Sequence, residues 1–135
     1  LPSETKLKEK LCALSSCRCV NVAPVSLPKT SALIAQCSLM LCCDSGLMHI
    51  ASCAGVPTAA FFGPTDEKRN GPMGIPHLII RKPMKGFPVW TAENVGNRKL
   101  PSSVDPQASL KALTAEDAWE QLCPWIDTYL LDKIR

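Results

Sequence analysis

The sequence predicts an α/β fold, doubly wound about a parallel sheet of about four strands. Short apolar runs at Leu39-Met40-Leu41-Cys42-Cys43, Thr58-Ala59-Ala60-Phe61-Phe62 and His77 to Arg81 alternate with segments of helical period. The first two runs flank a helical segment within residues 39–62, and a strand, helix, strand unit that short packs naturally as a parallel crossover. The chain of 135 residues, 46% hydrophobic and 20% charged, fills one ordinary domain at about 100 to 200 residues per domain.

Leu7, Leu11 and Leu14 recur at helical spacing with Lys6, Lys8, Glu9 and Lys10 between them, so Ser3 to Leu14 is an amphipathic helix capped by Ser3. Arg18 to Ala23 carries Cys19, Val20 and Val22 and stops at Pro24, which reads as a short strand. A second helix runs from about Pro28 to Cys37, with the proline in its first turn and Ser26 or Leu27 as cap. Leu39 to Cys43 is apolar throughout, the pattern of a strand covered on both faces. Leu47 to Ala54 is a helix ended by Gly55, and Pro57 leads into the next strand. Gly63-Pro64-Thr65-Asp66 turns the chain out, and a loop continues to Pro76 before the strand at His77 to Arg81. Lys82 to Leu113 has little periodicity and holds Pro83, Pro88, Pro101 and Pro106, so it reads as a long irregular loop. Thr114-Ala115-Glu116-Asp117 has the form of a helix start, and Trp119, Leu122, Cys123, Ile126, Tyr129 and Leu130 follow, with Pro124 as a potential kink.

Composition excludes several functions. A net charge of +3 and 5% aromatic residues give no footprint for nucleic acid, and no apolar stretch approaches the length of a membrane span. Eight cysteines raise a disulfide, zinc or redox reading, but no Cys-x-x-Cys pair occurs and His49 and His77 are too scattered to complete a cluster. Most of the cysteines lie among Leu, Ala, Val and Met, as small buried hydrophobes in a protein of the reducing cytoplasm. The chain opens on Leu1-Pro2-Ser3, the start expected of a processed product or of a piece of something longer.

Ligands of open parallel sheets bind at the carboxyl ends of strands, and Asp44-Ser45-Gly46 stands at such an end, directly before a helix. The amides of Gly46, Leu47 and Met48 with the helix dipole suit an anion, Ser45 adds a hydroxyl, and His49 lies one turn in. The competing reading is an ordinary turn and cap with His49 packed in the core. The spacing matches no nucleophile elbow, because Cys43 stands where Gly-x-Ser-x-Gly needs glycine, and there is no P-loop or Gly-x-Gly-x-x-Gly turn. Gly63-Pro64-Thr65-Asp66 leaves the neighbouring strand at the same edge, either as the second wall of a crevice or as a plain turn. Lys68, Arg69, Arg81, Lys82 and Lys85 add positive charge that suits a diphosphate, an anionic membrane surface or simply a solvated face.

Leu39 to Ala51 and Ala54 to Asp66 together resemble the signature of glycosyltransferase family 9, the ADP-heptose:lipopolysaccharide heptosyltransferases: an apolar strand, Asp-Ser/Thr-Gly-x-x-His, a small-residue helix, Gly-x-Pro, a second apolar strand and Gly-Pro-Thr-Asp. The resemblance implies a GT-B enzyme built of two Rossmann-like halves, of which this chain is similar to the C-terminal, donor-binding one. It implies that Ser45, Gly46, Leu47 and His49 bind the donor diphosphate and that Asp44 meets the sugar end. Val25 and Glu4 fall near the family's adenine and ribose positions, and Thr65 and Asp66 are further donor-binding candidates. The implied reaction is inverting transfer of heptose from ADP-heptose to the lipopolysaccharide inner core, with a general base in an N-terminal domain and no metal or other cofactor. The absence of an Asp-x-Asp signature agrees with that. The implied partners are the nucleotide-sugar, the lipopolysaccharide acceptor bound through the N-terminal domain, and the inner face of the inner membrane as a peripheral contact. Without that domain the chain is expected not to turn over and to bind donor weakly at most. Another nucleotide-sugar, a non-catalytic nucleotide-sugar-binding module and a cysteine-based metal or redox protein are the alternatives.

Overall fold

The apolar runs form the centre of the molecule. In the computed structural model, which describes residues 2–94 and 104–130, β1 (Met40–Cys43), β2 (Thr58–Phe61) and β3 (His77–Ile80) make a parallel sheet in the order β1-β2-β3. The register aligns Cys42 with Ala60 and Ala60 with Ile79. Around the sheet stand α1 (Pro2–Leu14), α2 (Leu27–Ile34), α3 (Gly46–Cys53), α4 (Glu67–Asn70), α5 (Ala108–Ala112) and α6 (Ala115–Leu130).

Successive strand residues point to opposite faces, and the core divides accordingly. On one face Ile34 of α2, Ala51 of α3 and Val56 of the connection after α3 pack with Met40, and Met48 of α3 packs against Ala60 and Phe62. On the other, α6 sets Leu122 against Ala59 and Ile80, with Trp125 and Ile126 beside them. Helices on both faces make the sheet doubly wound, as predicted. Phe62 and Met48 are wholly buried, each worth about 1.5–3 kcal/mol relative to exposure.

The count of strands differs from the prediction. Among the described residues there are three, because Arg18 to Ala23 is irregular, with Val20 67% and Val22 47% exposed. β-branched composition stabilises a strand only through cross-strand partners. Residues Cys19 to Val22 run beside β1 without pairing, leaving a cavity of about 580 Å³ against Met40 and Leu41. β1 is also not covered on both faces. The α6 cluster takes in β2 and β3, while Leu41 and Cys43 stay exposed. The fully covered pattern belongs to β2, whose Thr58, Ala59 and Ala60 have no exposed surface. Nor are the cysteines buried: Cys17, Cys19, Cys37, Cys43 and Cys53 are exposed, and Cys12, Cys42 and Cys123 half-buried. Cys12, Cys17, Cys19, Cys42 and Cys43 lie on α1, the connector after it and an edge strand, while Cys37 follows α2, Cys53 ends α3 and Cys123 lies on α6 next to the buried Leu122.

The helix ends follow their local chemistry. Gly55 closes α3 at φ 74°, a left-handed conformation natural to glycine, and the Gly55 and Val56 amides donate to the Ser52 and Ala51 carbonyls. α2 ends at Ile34, a turn before the predicted Cys37. α6 opens on a reciprocal cap, the Asp117 amide donating to Thr114 Oγ1 and the Thr114 amide to Asp117 Oδ2, both at 3.1 Å. It passes through Pro124 without interruption. α4 forms inside the predicted 63–76 loop because the Asp66 carboxylate accepts from the Lys68 amide and caps it. The predicted irregular stretch, 82–113, contains α5 and a 3-10 turn at Ala92–Asn94, and its residues 95–103 lie outside the described residues.

Candidate anion site at the strand ends

Two turns meet at the carboxyl edge of the sheet. The first continues β1: the Asp44 amide still donates to the Phe61 carbonyl at 3.1 Å, and Ser45, in an extended conformation at φ −158°, is the N-cap of α3. The Ser45 side chain makes no capping bond. The Met48 amide donates to the Ser45 carbonyl at 3.1 Å, so the helix start presents the amides of Gly46 and Leu47, two rather than the three expected. A Cβ built on Gly46 would meet nothing within 4 Å, so the helix start is open on the side where a side chain would stand. α3 turns Met48 and Ala51 into the core and leaves Ser45, Gly46, Leu47 and His49 exposed. His49 is therefore not a packed core histidine. Its imidazole stands on the solvent side, one turn from the helix start.

The second turn, Gly63 to Asp66, is joined to the first. Thr65 Oγ1 donates to Asp44 Oδ2 at 2.5 Å, which holds one oxygen of the half-buried carboxylate in place. The turn itself is fastened from two sides. The Val89 and Trp90 amides donate to the Pro64 carbonyl, and the Asp66 amide donates to the Trp90 carbonyl. From the end of β3, the Arg81 guanidinium donates to the Glu67 carboxylate at 2.5 Å and to the Gly63 and Thr65 carbonyls at 2.8 and 3.2 Å. In the sequence Arg81 is one of five cations that suit a diphosphate, an anionic membrane surface or a solvated face. Its position directly after an apolar strand, at the edge where the turns gather, is the signal that it serves them instead.

Lys82 is likewise engaged, 2.5 Å from Asp117, and that bond holds the Asp117 carboxyl below its ordinary range. The exposed cations of the predicted basic region are thus Lys68, Arg69 and Lys85. Burial, then the neighbouring Cys43 and Asp44, push the Cys42 thiol up to about 11, so it is a neutral packing group. Asp66 is taken up in capping α4. Glu4 lies with Thr5, Lys8 and Asn21 to Pro24 around a separate cavity of about 400 Å³, whose lining includes neither Val25 nor any of Asp44 to His49. Val25 is 42% exposed. Among the described residues no three His, Cys, Asp or Glu side chains are grouped to hold a metal ion, and no helix is long and apolar enough to cross a membrane.

The chain is 41% identical over 64 residues to lipooligosaccharide heptosyltransferase 2 of Haemophilus influenzae, a match covering 47% of this chain and 18% of that protein. The chain thus spans only a small part of the length of the relative it matches. No solved structure matches it. The family model for glycosyltransferase family 9 (heptosyltransferase) matches residues 2–89. That match runs from α1 through β3 and takes in both strand-end turns and the Arg81 that fastens them, and on it the chain belongs to glycosyltransferase family 9, the heptosyltransferases.

Proposed function

We propose that this chain is the donor-binding, C-terminal half of a GT-B glycosyltransferase that takes ADP-heptose or a closely related nucleotide-sugar, for inverting transfer to the lipopolysaccharide inner core. The observation that carries the reading is the start of α3, where the Gly46 and Leu47 amides stand beside open space at the Gly46 Cβ position and next to an Asp44 whose carboxylate is anchored by Thr65. Aligned amides at a helix N-terminus favour a diphosphate, and they favour it more as negative charge gathers on the leaving group. In this reading the Gly46 and Leu47 amides and the Ser45 hydroxyl hold the diphosphate, and His49 adds a donor from the first turn of the helix. The free oxygen of Asp44 meets the sugar. The general base that takes the acceptor's proton belongs to the partner half, as does the acceptor site, so this chain alone binds donor without turnover. Glu4 and the neighbouring 21–24 wall form the place for the nucleoside.

Calorimetric titration of the full-length protein with ADP-heptose, other ADP-sugars and UDP-sugars tests this, with His49→Ala as the comparison. The expected result is preference for ADP-heptose and a roughly tenfold loss of affinity in the variant, equivalent to about 1.4 kcal/mol. Equal affinity in wild type and variant overturns the assignment of the diphosphate to the α3 start. Tighter binding of another nucleotide-sugar keeps the site and replaces the donor.

A further inference from the structure

Among the described residues, a loosely held segment contains the closest pair of thiols. From Glu4 to Lys29 every residue is exposed except Cys12, and the leucines of α1, Leu7, Leu11 and Leu14, are 58%, 58% and 73% exposed. No buried apolar side chain anchors this helix or the connector that follows it. The chain reverses after α1 through a turn in which the Ser15 amide donates to the Leu11 carbonyl and the Cys17 amide to Ser15 Oγ. That reversal lays residue 19 against the last turn of α1 and brings the sulfurs of Cys12 and Cys19 to 2.8 Å. Two thiolates sharing a tetrahedral zinc at about 2.3 Å each would stand about 3.8 Å apart, so the pair is too close for a bridging metal. A disulfide needs about 2.05 Å, leaving roughly 0.8 Å to close.

We propose that Cys12 and Cys19 form a dithiol site that closes reversibly to an intramolecular disulfide by exchange with small-molecule disulfides of the glutathione class. Cys19, the exposed member, attacks first: its thiolate forms a bond to one sulfur of the small disulfide and expels the other as a thiolate. The Cys12 thiolate then attacks the Cys19 sulfur, forming the Cys12–Cys19 bond and releasing the second small thiol. The protein gives up two electrons and two protons, and the small disulfide takes up both as two thiols. The hydrogen bond with Cys19, and then partial burial, raise the pKa of Cys12, which agrees with its acting second. The bond closes the ring from residue 12 to residue 19 and ties α1 to the connector. Two cavities lie between these segments and share Lys8, Asn21 and Val22, and the second is lined by Cys12 and Cys19 themselves. Oxidation therefore fixes the width of the second cavity, and reduction frees α1 to move.

The test is equilibration of the whole folded protein in buffers of graded reduced and oxidised glutathione, followed by acid quench, alkylation and peptide mass mapping. The expected product is a Cys12–Cys19-linked peptide two hydrogens lighter, with an equilibrium constant at least about tenfold above that of the same chain in denaturant, since the fold holds the thiols at high effective concentration. Cys17→Ser is expected to leave that constant unchanged, and Cys12→Ser to leave a glutathione adduct on Cys19. Glutathione adducts on both Cys12 and Cys19 without a link, a link through Cys17, or equal constants in native and denatured chains would each overturn the proposal.

Discussion

Replacing Arg81 with methionine keeps the aliphatic stem and removes the guanidinium that joins β3 to the turn after β2. The side chain is 16% exposed and makes one bond to the Glu67 carboxylate and two to backbone carbonyls. Hydrogen bonds to a charged partner contribute about 1.5–3 kcal/mol each, and stripping one partner from a fully buried pair costs about 3–5 kcal/mol. Glu67, at 29% exposure, recovers part of its hydration when the arginine goes, and the Gly63 and Thr65 carbonyls recover some. The expected loss is therefore about 3 kcal/mol rather than the sum of the bonds. With a urea slope of about 2 kcal/mol/M, the unfolding midpoint falls by about 1.5 M with the slope unchanged. Arg81→Lys should recover only a minor share, because one ammonium cannot reach three acceptors in different directions. Glu67→Gln alone and combined with Arg81→Met completes a double-mutant cycle, with an expected coupling of about 1 kcal/mol. A midpoint shift below about 0.3 M for Arg81→Met, or a coupling of zero, would refute the view that this arginine holds the turn.

Two further outcomes follow from the same geometry. The Asp117 carboxyl is held below its ordinary value of 3.8 by Lys82 and the Thr114 cap, so its contribution is present above that pH and is lost as pH falls through the lower folded value. Urea midpoints measured from pH 6 down to pH 2.5 should decline on the acid side, and less steeply in Asp117→Asn. Gly55→Ala places a Cβ on a backbone at φ 74° and should destabilise the protein by about 1 kcal/mol in the same assay, with the α3 start unaffected.

What could be read in the sequence was whatever local chemistry decides. The β1, α3, β2 unit announces itself through apolar runs, Ser45 and Gly55, and α6 through the Thr114 and Asp117 cap. Arg18 to Ala23 misled because valines raise strand propensity without supplying a partner, and pairing is a property of two segments. The double coverage expected of β1 was a statement about α6, whose reach across the sheet no window of β1 contains. The exposure of the cysteines escaped for the same reason. At the site, the position of the first turn at a strand end was legible from spacing, and the exposure of His49 removes only the reading of a packed core histidine. The Thr65 to Asp44 bond and the threefold engagement of Arg81 join positions far apart in the chain, and no periodicity records them.

Arg81, Thr65 and Asp44 lie in series across the sheet, the guanidinium on the Thr65 carbonyl and the Thr65 hydroxyl on the Asp44 carboxylate. Each of the three strands thus sends one residue or turn into a single hydrogen-bonded chain that ends beside the α3 amides. An acidic group positioned this way has already lost its rotamer freedom in the unliganded protein, so a ligand that meets it is spared that ordering entropy. Binding at this edge should accordingly show little conformational penalty at Asp44, and loosening the chain at its far end, on β3, should weaken a ligand that β3 never touches.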